Sequence, residues 1–304
     1  MAYYTGSAND MEALRQALFS ACTQNGYALR GNVLVKGDIN INVQVVSGYM
    51  RLTGGTGIDG SNALTGACPA YTQIGPATVY ALQWPVRYEL FVLRDPDEVF
   101  LVANYSVDKY QYCTFGQSSV AGLPGTGCWF GATINQNNPT NAQFSESGTG
   151  GSFVYGNPGL FWRGAQWNMG IAYSETFIHT GLDGYGWATG ASDSESKATA
   201  CDTIAPLLSR QPNAWNSEAV LLPIQPLQLR PQSKVSLVAD LQHIRYLRID
   251  NHDPGQIITI GQDRWKVFPF FRKDSTSRSN CPVTNIPLNL HTGTYGVAVR
   301  YDGP

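Results

Sequence analysis

Charge is what this sequence has least of. Only 14% of its 304 residues are Asp, Glu, Lys or Arg, against roughly 25% in a typical soluble domain. The formal net charge is −2, and the basic residues are scattered instead of forming the stripe that neutralises phosphates, so direct nucleic-acid binding is not expected. Long apolar runs are missing too. No stretch approaches the roughly 20 residues that carry a helix across a bilayer, so no transmembrane segment is expected. Met1-Ala-Tyr-Tyr-Thr-Gly lacks the basic and apolar regions of a signal peptide. These absences point to synthesis in a cytoplasm.

Signatures of chemistry are equally scarce. Cys22, Cys68, Cys113, Cys128, Cys201 and Cys281 are far apart, with no Cys-x-x-Cys pair, and are expected as reduced, mostly buried thiols. His179, His243, His252 and His291 stand alone, without the spacing of a metal site. No serine lies in a Gly-x-Ser-x-Gly elbow. Gly55 to Gly60 spells Gly-x-Gly-x-x-Gly, but no long helix can follow to hold a pyrophosphate, so a surface loop is expected. Glu89, Asp95, Asp97, Glu98, Glu146, Glu175 and Asp183 supply carboxylates for a glycan hydrolase, yet none sits in a motif, and turn or strand-edge positions explain them as well. No catalytic, metal-binding or cofactor-binding residue is assigned, no cofactor is expected, and the chain is not read as an enzyme.

What is present is a pattern of strands and turns. Ser7-Ala-Asn-Asp10 offers capping side chains to a helix whose stripe is Met11, Leu14, Leu18 and Ala21 or Cys22, and Asn25-Gly26 stops it. Tyr27 to Val35 and Ile39 to Val46 read as a half-buried hairpin under that helix. Tyr88 to Leu93 and Val99 to Tyr105 flank the turn Asp95-Pro-Asp-Glu98, and Tyr110 to Phe115 adds a strand. A further helix is expected near Ala198 to Arg210. Gln256 to Ile260 and Trp265 to Phe268 form a hairpin, and alternating Tyr295, Val297, Val299 and Tyr301 predict a strand with one buried face. The fold class is α+β, predominantly β: an N-terminal helix packed on antiparallel strands, followed by a β-sandwich or barrel-like C-terminal domain. The expected organisation is a helix-plus-sheet domain over 1–135, a polar linker or exposed loop over 136–152, and a β-rich domain over 153–304.

Aromatic residues supply the candidate contact sites. Trp265, Phe268, Phe270, Phe271 and Tyr301 are candidates for a subunit interface, because aromatic anchors dominate hot spots. Trp162, Trp167, Tyr185 and Trp187, beside Gly- and Asn-rich stretches, are candidates for contact with a glycan. Core packing of the same rings competes with both readings.

Asp250-Asn-His-Asp-Pro-Gly-Gln-Ile-Ile-Thr-Ile-Gly, Asp263-Arg-Trp-Lys-Val-Phe-Pro, and the ending His291-Thr-Gly-Thr-Tyr-Gly through Arg300-Tyr-Asp-Gly-Pro304 carry a resemblance. The chain resembles virion structural proteins of tailed bacteriophages, nearest to tail or baseplate components, clearest from about Asn216 onward. The resemblance implies a structural subunit that assembles with copies of itself and other virion tail or baseplate proteins, located in the virion. Low charge agrees, since charges are costly to desolvate at an interface core. The alternative is a tail-tip receptor protein whose partner is a host surface glycan. A glycan hydrolase and a head-associated structural protein rank lower.

Overall fold

The computed structural model describes residues 1–76, 83–106, 109–135, 176–189, 198–199, 219–249, 251–269, 273 and 295–304. Among these, 55% lie in strands and 8% in helix, which is the expected α+β, predominantly β class. The expected linker over 136–152 and Trp162, Trp167, Phe270 and Phe271 lie outside the described residues.

The chain opens with a strand that its local sequence pattern does not signal, β1 (Ala2–Ala8). The expected helix follows as α1 (Met11–Gln24): Asp10 caps it, accepting a 2.7 Å hydrogen bond from the Ala13 N–H, and the helix buries Met11, Leu14, Leu18, Phe19, Ala21 and Cys22. Gly26, at φ 90°, turns the chain out of it. Strands β2 (Ala28–Arg30), β3 (Val33–Lys36), β4 (Ile39–Val46) and β5 (Tyr49–Gly55) then form a meander. The run expected as one strand from Tyr27 to Val35 is instead a hairpin, because Gly31 adopts φ 61° and reverses it.

The glycine-rich segment after β5 corrects another expectation. It is a paired ribbon of β6 (Gly57–Ile58) and β7 (Leu64–Thr65), not an open loop. Asp59 closes its turn by accepting from the Ser61 and Ala63 N–H groups at 2.8 and 3.0 Å. Strand β8 (Thr72–Ile74) returns to the meander.

A second meander follows: β9 (Val86–Leu93), β10 (Glu98–Ser106), β11 (Lys109–Gln117) and β12 (Cys128–Ala132), after which β13 (Ile134–Asn135) pairs with β8. Beyond it are β14 (Thr176–His179) and β15 (Trp187–Thr189), joined through a 3-10 turn at Leu182–Gly184. Of the helix expected over 198–210, only β16 (Ala198–Thr199) is described, and it is a strand. The remaining strands are β17 (Leu222–Ile224), β18 (Leu227–Arg230), β19 (Lys234–Leu237), β20 (Leu241–Arg248), β21 (Ile257–Ile260), β22 (Asp263–Pro269) and β23 (Tyr295–Arg300).

Three larger sheets make three layers. The central sheet runs β1-β9-β10-β11-β12-β14-β15, a six-stranded sheet runs β13-β8-β5-β4-β3-β2, and a five-stranded sheet runs β17-β20-β23-β22-β21. A small sheet, β16-β18-β19, stands beside them. The central sheet thus takes strands from both sides of residues 136–175. Its first face, with Leu90, Val92, Val99, Leu101, Phe115 and Phe130, packs against Leu14 and Leu18 of α1 and Ile41, Val43 and Leu52 of the six-stranded sheet. Its second face, with Phe91, Leu93, Phe100, Val102, Tyr112 and Trp129, packs against Ile244, Tyr246, Phe268, Val297 and Val299 of the five-stranded sheet.

Burial on both faces explains why Leu90 to Leu93 and Val99 to Ala103 are unbroken apolar runs rather than alternating ones. Each such side chain contributes about 1.5–3 kcal/mol by leaving water. The sheets remain open, so the sandwich alternative fits and the barrel does not. Strand β23 also differs from expectation: Val297 and Val299 face the central sheet while Ala298 joins Trp265 and Val267 on the opposite side, so both its faces are buried.

Candidate functional site

The interface candidates that are described lie within the chain's own core. Phe268 is fully buried, edge-on to Phe91 with centroids 6.1 Å apart. Trp265 is buried in the outer cluster beneath the guanidinium of Arg245. Tyr301 is buried, edge-on to Tyr3 at 5.0 Å, and donates its hydroxyl proton to the Pro304 carbonyl at 2.7 Å. Of the glycan candidates, Trp187 is half-buried: its ring meets Phe130 at 5.5 Å and its N–H donates to the Gly66 carbonyl at 3.1 Å. That ring lies over Gly54, where an added Cβ would come within 2.6 Å of it. Tyr185 follows the 3-10 turn and is half-buried.

The structure instead gathers a polar cleft of about 520 Å³ that no local sequence pattern marks. Its floor is the part of the central sheet's second face that continues past the five-stranded sheet, and register defines it. Ser7 lies opposite Arg87, Arg87 opposite Asn104, and Asn104 opposite Tyr110, giving one cross-strand row over β1, β9, β10 and β11. The next row holds Thr5, Glu89 and Val102. Pro254, Gly255 and Lys266 form the wall. The Gly255 N–H bonds the Val267 carbonyl at 2.7 Å, which fixes this wall against β22.

Where the two sheets separate, an ionic cluster closes the inner end. Tyr3 donates to Glu89 at 2.7 Å, and the Lys266 ammonium pairs with Glu89 and donates to the Tyr3 hydroxyl at 3.2 Å. The same ammonium sits over the Tyr3 and Tyr301 rings, 5.3 and 5.4 Å from their centroids. Burial, with help from the Glu89 hydrogen bond, pushes the Tyr3 hydroxyl above its ordinary value. Burial alone would lower Lys266, but its hydrogen bonds and ion pair outweigh that and hold it above its ordinary value. At neutral pH the tyrosine is protonated and the lysine charged, so the cluster clamps the two layers and neither group presents a basic atom.

Several other titratable groups are likewise engaged. Asp97 pairs with Lys36 at 2.5 Å, so the turn between β9 and β10 ties the second meander to the first. Arg230 grips Asp183 with two hydrogen bonds of 2.6 and 2.7 Å. Glu98 is fully buried, and its oxygens accept from the Gln242 and His243 N–H groups, each at 3.0 Å. Burial lifts its pKa to about 8 against those two donors. His179 and His243 are lowered by burial, and the His179 Nδ1 accepts from the Thr126 N–H at 3.0 Å. Cys22, Cys68, Cys113 and Cys128 are buried free thiols, with Cys68 and Cys128 pushed up to about 12 by burial. Among the described residues no cluster of His, Cys, Asp and Glu could hold a metal, and no helix is long and apolar enough to cross a membrane.

One surface is conspicuously apolar. In the β18–β19 hairpin, Leu229 pairs with Val235 and Leu227 with Leu237, so these four share a face. Leu229, Val235 and Leu237 are 42%, 55% and 40% exposed, while the opposite face is spent inside, Gln228 accepting from Thr180 at 2.8 Å. No family model matches the chain, and no curated protein matches it.

Proposed function

We propose that this chain is a structural subunit of a bacteriophage virion, in its tail or baseplate, acting by non-covalent assembly with copies of itself and neighbouring virion proteins. The observation that carries the assembly role is the outward face of the β18–β19 hairpin: three large apolar side chains in water, on a chain only 14% charged. Contiguous exposed apolar surface of this kind suits burial against a partner. In the small sheet β19 is the outer strand among the described residues, so its backbone groups are open to pairing as well. The phage particle itself is supported by the resemblance of the last third of the sequence, which includes this hairpin.

Two experiments test the two halves. Immunogold electron microscopy of intact source particles, with antibody raised against this chain, is expected to label the tail or its end. Label on the head overturns the tail position, and absence from intact and disrupted particles overturns the virion reading. For the assembly role, Val235→Glu with Leu237→Glu removes the apolar face at solvent-exposed positions. The double variant is expected to keep the wild-type thermal midpoint yet sediment as a smaller species and fail to join particles. Unchanged sedimentation and incorporation would show that another surface makes the contacts.

A further inference from the structure

We infer that the cleft over β1, β9, β10 and β11 is a binding site for an acidic oligosaccharide, a short chain of sugar units bearing carboxylates. The inference is independent of the virion assignment and rests on which groups in the cleft are committed and which are free. Lys266, Glu89 and Tyr3 satisfy one another. Arg87 is exposed on the floor and its side chain has no hydrogen-bond or ion-pair partner among the described residues, and the same holds for the exposed Ser7 hydroxyl beside it. Asn104 donates its amide protons to the Ser106 and Lys109 carbonyls at 2.9 and 3.2 Å, which orients its carbonyl oxygen and leaves it as an acceptor. Tyr110, tilted against Phe268 at 6.1 Å, is itself engaged and forms the aromatic end of the row.

Register turns these groups into a linear array. Neighbouring strands are about 4.8 Å apart, so Ser7, Arg87, Asn104 and Tyr110 span about 14 Å with side chains on one face. A guanidinium matches a planar carboxylate through two parallel hydrogen bonds. The flanking hydroxyl and amide oxygen suit sugar hydroxyls, and an aromatic edge or face suits the apolar side of a sugar ring.

Charge favours a carboxylate over a phosphate. Arg87 and Lys266 against Glu89 leave one net positive charge in the lining, which suits one carboxylate of the chain seated on Arg87 with the others turned to water, while Glu89 in the adjacent row disfavours a doubly charged phosphate at the same place. Thr5, whose hydroxyl donates to the Tyr88 carbonyl at 3.1 Å, keeps the second row polar without adding charge.

Isothermal titration of the full chain with tetragalacturonate, and separately with neutral maltotetraose and inorganic phosphate, tests this. Expected are saturable binding of tetragalacturonate and none of the other two. Arg87→Ala, at an exposed and unpartnered position, is expected to weaken that binding about tenfold or more with the thermal midpoint unchanged. Ser7→Trp, which fills the row beside Arg87, is expected to abolish it. No heat with tetragalacturonate, equal binding of maltotetraose or of phosphate, or affinity that Arg87→Ala leaves untouched would each overturn the assignment.

Discussion

Glu98 is a carboxyl held in an environment far from that of a free side chain. The carboxyl lies at the start of β10 and ties it to β20 through two N–H donors, while the surrounding core opposes its charge. With a folded pKa near 8 and an ordinary value of 4.5, the folded protein holds a proton that the unfolded chain has released over that interval. Stability therefore falls as pH rises from about 4.5 to 8 and is level above it. Each unit of difference is worth about 1.4 kcal/mol, so the fall reaches a few kcal/mol. His179 and His243, lowered by burial, act with the opposite sign below pH 6.5, where the unfolded chain binds their protons first. Urea midpoints of wild type and Glu98→Gln across pH 5 to 8.5 separate the contributions. The difference between the two proteins is expected to shrink as pH rises, because only wild type loses stability at this site. A constant difference would mean that Glu98 ionises normally in the core.

Individual elements were legible where their periodicity is local. The stripe of α1 and its Asp10 cap, the alternation of Ile39, Ile41 and Val43, and the β21–β22 hairpin are written in neighbouring residues, and each forms close to where expected. Strand β1 was invisible because Ala2-Tyr-Tyr-Thr-Gly-Ser-Ala has no clean alternation and becomes a strand only by pairing with β9. The cleft was illegible for the same reason: Tyr3 meets Glu89 across 86 positions and Lys266 across 263. Strand β23, inserted between β20 and β22, shows how tightly such non-local pairing is fitted. A Cβ at Gly296 would lie 2.3 Å from the Phe268 carbonyl oxygen, a backbone atom that cannot turn aside. Gly296→Ala is thus expected to cost about 2 kcal/mol by forcing β22 and β23 apart. Guanidinium denaturation checks the magnitude, and amide exchange at Val267 and Phe268 checks the location. Unchanged exchange there would place the cost elsewhere.

At the scale of the whole molecule, the central sheet is the part both cores share. Consecutive residues of β10 point to opposite layers: Phe100 into the core with the five-stranded sheet, Leu101 into the core with α1 and the six-stranded sheet. One ladder of backbone hydrogen bonds, β9-β10-β11, holds both side chains in place, so neither core can dissolve without disturbing the strands that floor the other. Cross-layer ties reinforce this: Lys36 to Asp97 on one side, and Lys266 to Glu89 and Glu98 to the β20 backbone on the other. Phe100→Ala and Leu101→Ala each open a cavity in a different core, and each is expected to cost about 3 kcal/mol. Because the sheet is shared, both should shift a single unfolding transition, with far-ultraviolet circular dichroism and tryptophan fluorescence remaining coincident. Two separated transitions, with Phe100→Ala moving one and Leu101→Ala the other, would mean that the layers fold as independent units despite the common sheet. A single transition has a consequence for the cleft. Its floor belongs to the central sheet and its wall to the five-stranded one, so the row from Ser7 to Tyr110 would keep its geometry until the molecule unfolds as a whole.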